Sequence, residues 1–142
     1  MSYHIYTIEG YGVRTTNLPV PDTQQTINIA TVCGKQLTQK IMGCIVDGKI
    51  NFDEYEGGYN CMCGLTAFLA DVIYDLYNVQ LTPCEDFNSE KFLLYEPSYP
   101  WTMNASDAHL TPHLIDKYIT NTIEMYTNQK LDLGYFSVEN GG

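Results

Sequence analysis

The sequence predicts an α+β fold: a mainly antiparallel sheet with two principal helices (about 61–77 and 112–127) in a single compact domain. Three observations lead there. Two segments carry apolar residues at helical spacing, and several short runs rich in β-formers are bounded by Gly, Pro, Asn and Asp. Helical and strand segments also segregate loosely instead of alternating. A length of 142 residues fits one domain able to bury a core, and 44% hydrophobic with 13% aromatic content excludes a disordered tail.

Tyr3 to Ile8, "YHIYTI", alternates and predicts a strand. Gly10-Tyr11-Gly12 predicts a turn, after which Val13 to Leu18 returns as a second strand. Pro19, Pro21 and Asp22 form a short rigid connector. From Thr26 to Met42 two readings stay open. "TINIATVC" has strand composition, whereas Leu37, Ile41 and Met42 sit at helical spacing; Gly34 either separates a strand from a helix or interrupts one helix.

Asp47-Gly48, between "CIV" and "KINF", predicts a two-residue hairpin turn, because both central positions accept positive φ. Asn51 followed by Glu54 competes as a capping box for a short helix ending at Gly57-Gly58, and the hairpin is preferred. The first principal helix follows, with Asn60 as N-cap and Leu65, Phe68, Leu69, Val72, Ile73 and Leu76 as its apolar stripe. "TPCEDFNSE" reads as a loop and "KFLLYE" as a strand. In the irregular segment that comes next, Trp101 is expected to anchor a loop to the core. Thr111-Pro112 opens the second principal helix as N-cap and first helical residue. Leu114, Ile115, Tyr118, Ile119, Ile123 and Tyr126 line its inner face, and Gly134 to Glu139 forms a closing strand.

Charge limits the function classes. Seven basic against 17 acidic residues give a formal charge of −10. Such a surface repels phosphate backbones, so no direct nucleic acid is expected; it suits a basic protein surface instead. No apolar run is long enough for a signal peptide or a membrane span, and five cysteines without scaffold density predict reduced thiols in a cytoplasm. Phosphate-binding glycine loops and a serine nucleophile elbow are both missing. The chain is therefore expected not to be an enzyme and to need no cofactor.

"DGKINFDEY" resembles the second half of a calcium-binding loop. With Gly48 at loop position six, Asp47, Asn51 and Glu54 occupy suitable ligand positions. Positions one and three then fall on Gly43 and Ile45, which supply no side-chain oxygen, so the calcium reading fails. The alternative metal expectation is zinc held by Cys61, Cys63, His109 and His113. His109 and His113 have ligand spacing, but one residue between the cysteines is a poor match. A third reading gives Cys61 or Cys63 a lowered pKa in a first helical turn and hence thiol-dependent catalysis. It lacks a positioned base.

Asp71 and Asp75 stand four apart on the polar face of the first principal helix, where like charges destabilise it slightly. With Tyr74 and the nearby Asp53, Glu54 and Glu56 they form the expected partner-binding surface. The opening "YHIYTIEGYGV", the segment "YEPSYPWTM" and the ending "GYFSVENGG" give the whole chain a resemblance to small acidic phage and mobile-element proteins of Gram-positive bacteria, a subset of which are anti-CRISPR proteins. That resemblance implies a non-catalytic inhibitor in a host cytoplasm, whose partner is a basic host protein such as a CRISPR effector nuclease. It carries no residue roles with it.

Overall fold

A computed structural model describes residues 5–55, 64–96 and 111–141. Strand β1 (Ile5–Arg14) leads into α1 (Thr23–Cys33) and α2 (Lys35–Met42), then a hairpin of β2 (Ile45–Val46) and β3 (Lys49–Ile50). A short 3-10 helix (Phe52–Glu54) precedes α3 (Gly64–Tyr77), β4 (Thr82–Glu85), β5 (Lys91–Tyr95), α4 (Pro112–Ile123) and β6 (Asp132–Gly141). The main sheet has the order β4-β5-β1-β6, and every neighbouring pair is antiparallel. The fold is thus α+β on an antiparallel sheet. Four helices build it among the described residues, in place of two principal ones.

β1 corrects the expected turn. It runs unbroken through Gly10 and Gly12, pairing Val13 with Leu93 on one side and with Leu133 on the other. A Cβ at Gly10 would strike the Tyr95 carbonyl, and one at Gly12 the Leu93 carbonyl. The glycines therefore serve close approach of β5, a use of strand glycine that looks like a turn in sequence. The same substitution of roles affects "TPCEDFNSE". Its first four residues form β4, where Pro83 is tolerated because the strand lies at the sheet edge.

Residues 23–42 settle as two helices. Asp22 caps α1 through its carboxylate on the Gln25 N–H at 2.7 Å, and the Gln25 side chain returns to the Asp22 N–H at 3.0 Å. Gly34, at φ 133, ends α1 and lets α2 leave in a new direction. Asp47 (φ 53) and Gly48 (φ 80) make the expected hairpin turn. Because its strands are only two residues long, Asn51 remains available to cap the 3-10 helix, accepting from the Asp53 N–H at 3.0 Å. The hairpin is realised, and of the capping reading the Asn51 cap is. The Asn51 N–H bonds the Cys44 carbonyl at 2.9 Å, so the reciprocal Glu54 half of a capping box is not what holds it.

α4 is capped by Thr111, whose hydroxyl accepts from the Leu114 N–H at 3.3 Å, with Pro112 in its first turn. It stops at Ile123, earlier than the expected 127, in a run of turns. β6 extends two residues beyond each expected end of the 134–139 strand. The Asn60 cap, the Gly57-Gly58 boundary and Trp101 lie outside the described residues.

α3 carries the core on two flanks. Leu69 and Ile73 pack with Val13, Leu93, Ile115 and Ile119 against the sheet and α4. Phe68 and Val72 pack with Ile29, Leu37, Ile41, Phe52 and Tyr55 under α1, α2 and the 3-10 helix. That double burial explains why its apolar stripe is broader than a surface helix needs. Buried Thr15 and Thr66 share a hydroxyl–hydroxyl hydrogen bond of 2.8 Å, which ties β1 to α3. No described helix is long and apolar enough to cross a membrane.

Candidate docking face

The candidate face is built where the 3-10 helix and α2 meet the outer side of α3. Phe52 and Tyr55 clamp Phe68, with ring centroids 5.5 and 5.7 Å away. This seats the 3-10 helix and leaves Asp53 and Glu54, its middle and last residues, exposed. One turn of α3 places Asp71 and Asp75 on the same side, four residues apart. Tyr74 is 51% exposed and Asp75 is open to solvent.

Asp71 has a different environment from Asp75. Buried Tyr55 donates its hydroxyl to Asp71 Oδ2, and Lys40 Nζ from α2 reaches the same oxygen at 3.2 Å. The ammonium also lies 4.4 Å from the centre of the Tyr55 ring. Lys40 thereby offsets the like-charge cost of Asp71 beside Asp75. Asp71 is engaged by Tyr55 and Lys40 although its side chain stays 42% exposed, whereas Asp53, Glu54 and Asp75 are open to solvent. Glu56 lies outside the described residues.

The electrostatics agree with this layout. Burial first, then the bond to Asp71, holds the Tyr55 phenol protonated well above its usual range, with Asp75 adding to the effect. Cys33 is pushed up to about 11 by burial and then by Asp75. Burial and Glu54 raise Cys44, against a smaller opposing pull from Lys40. These two thiols are held away from the thiolate and suit packing better than nucleophilic chemistry. Beside the face an open groove of about 360 Å³ is lined by Ala67, Ala70, Asp71 and Tyr74 of α3 with Leu81 and Pro83.

For the zinc expectation, His113 is exposed in the first turn of α4, while Cys61, Cys63 and His109 lie outside the described residues. No group of three or more His, Cys, Asp or Glu side chains among the described residues is arranged to hold a metal ion. Sequence reasoning missed Lys40 and Tyr55. Tyr55 sits in the acidic run and had a local signal, but nothing in the sequence ties Lys40 to a helix thirty residues away. No family model, curated protein or solved structure matches the chain.

Proposed function

We propose that the protein is a non-catalytic, anti-CRISPR-like interaction protein that docks an acidic, tyrosine-bearing face onto a basic groove of a nucleic-acid-binding host protein. One observation carries this reading. Asp53, Glu54 and Asp75 are exposed, as is Tyr74, on a braced scaffold, and one nearby cation, Lys40, is committed to Asp71 and Tyr55. The face therefore presents net negative charge with an aromatic anchor, a combination suited to steering and then gripping a cationic surface. The formal charge of −10 extends the same field over the molecule.

The test is affinity capture from host cytoplasm at about 50 mM and about 500 mM salt, since screening acts on charge-driven contacts. Capture should weaken steeply at high salt. It should also be lost when Asp53→Lys and Asp75→Lys are combined, with circular dichroism and melting temperature unchanged. Asp71 is left intact because replacing it would disturb Tyr55. Salt-independent capture, or an unimpaired double variant, would overturn the proposal.

A further inference from the structure

The two edges of the main sheet are managed differently. β4 is four residues long and carries Pro83, two devices that discourage further pairing. β6 is a ten-residue edge strand, "DLGYFSVENG", with neither proline nor lysine. Among the described residues β1 is the one strand paired with it, while β4 approaches its Phe136–Val138 end through Cys84 without pairing. Alternate residues of β6 therefore turn their N–H and C=O groups away from the sheet, in a row able to receive another strand.

A groove lies beside the start of this strand, at Leu133. Packing of α4 over β1 leaves an open channel of about 310 Å³, lined by His113, Asp116, Lys117, Thr120 and Asn121 of α4 and by Leu133 of β6. Tyr135, 75% exposed and two residues beyond Leu133 on the same face, meets Tyr11 edge-on at 4.9 Å. Asp116 acts on the Tyr11 hydroxyl and, with burial, pushes Tyr11 up to about 12. One carboxylate oxygen of Asp116, Oδ1, is shielded from solvent and has no hydrogen-bond partner. A strand edge, a flanking helix and a carboxylate short of a donor make up this surface.

We propose that β6 and α4 form a strand-addition site for an extended segment of a basic partner protein. The segment pairs with the outer edge of β6 and turns a lysine or arginine toward Asp116. Backbone pairing provides the general affinity, and the groove selects the alternate side chains that face α4. Charge decides the occupant. Lys117 and His113 are exposed on the α4 wall, but Glu139 is exposed on β6, Asp132 is exposed there at 4.0 Å from Arg14, and Asp116 is the wall group with an unmet acceptor. A second copy fits poorly. Antiparallel self-pairing about the Tyr135–Phe136 midpoint sets Asp132 against Glu139, and two chains of charge −10 repel.

The probe is a blocked heptapeptide alternating lysine with valine, titrated into the ¹⁵N-labelled protein. Expected are shifts confined to amides of β6 and α4, with slowed hydrogen exchange along β6. N-methylation of alternate peptide amides should weaken binding by about tenfold or more, since it removes backbone hydrogen bonds, and so should Asp116→Asn, which keeps an acceptor but removes the charge that strengthens a bond from lysine. Thr120→Arg, which fills the groove and leaves the Tyr11–Asp116 contact in place, should do the same. The Asp53→Lys, Asp75→Lys variant should bind the heptapeptide normally, which keeps this site separate from the docking face. Equal binding of the N-methylated peptide or of a glutamate-for-lysine analogue would overturn the proposal. So would shifts outside β6 and α4, or concentration-dependent β6 shifts without peptide, which would assign the edge to a second copy.

Discussion

At the residue scale, the tyrosines convert burial into a pH signature. Tyr11 and Tyr126 are both pushed up to about 12, Tyr11 chiefly by Asp116 and Tyr126 by burial alone. Tyr55 is raised as well. An unfolded tyrosine loses its proton near pH 10, while these keep theirs in the folded chain. Between those values the native state binds more protons than the unfolded state, so stability is complete below about pH 10 and falls as pH rises toward 12. A melting-temperature series from pH 8 to 11.5 should show that decline. Tyrosinate absorbance of the folded protein should lag that of the denatured chain. Coincident titration curves would contradict the burial assigned to these phenols. Asp71 shows the limit of sequence at this scale: helical period placed it on a polar face, but its bonds to Tyr55 and Lys40 arise only from tertiary packing.

At the element scale, α3 is the member the others share. Phe68 is fully buried between Phe52 and Tyr55, so Phe68→Ala leaves a cavity and should cost about 3–5 kcal/mol in denaturant unfolding. Tyr74→Ala, on the exposed side of the same helix, should stay within about 0.5 kcal/mol. Comparable losses at both positions would overturn the assigned orientation of α3. Apolar stripes at long helical spacing made α3 and α4 legible in the sequence, as did the Thr111 cap and the Asp47-Gly48 turn. β1 was cut at Gly10-Tyr11-Gly12 because glycine usually marks chain reversal, whereas here it admits the backbone of β5. β4 was hidden by Pro83 and by its brevity, both properties of an edge strand. α1 lacked a clear period because Thr26, Ile29 and Ala30 are its only buried positions, and β-branched residues dominate its composition.

Over the whole molecule, charge works against compactness. Seventeen acidic side chains are balanced by seven basic ones, and Arg14 and Lys40 hold some of that repulsion in check through Glu90 at 2.6 Å and Asp71 at 3.2 Å. Raising salt from about 20 to about 200 mM should raise the melting temperature by about 2–5 °C, because screening relieves self-repulsion more than it weakens a few exposed pairs. A fall would show that the ion pairs outweigh the net charge. The net charge was legible in the composition. Its arrangement on the 3-10 helix and α3 depended on how Phe52 and Tyr55 seat against Phe68, which pattern alone does not reveal.

The central place of β1 has a consequence for the order of synthesis. β1 leaves the ribosome before α1, yet its hydrogen-bonding partners begin only at Lys91 and Asp132, so the sheet cannot close until nearly all the described chain has been made. α1, α2 and the β2–β3 hairpin can form locally in the meantime, while Val13 and its neighbours wait as unpaired strand. Folding then ends with a long-range closure, which is slow for its size and exposes the nascent chain to mispairing. The glycines at positions 10 and 12, which admit the neighbouring backbone in the finished sheet, also lower the strand propensity of β1 while it waits.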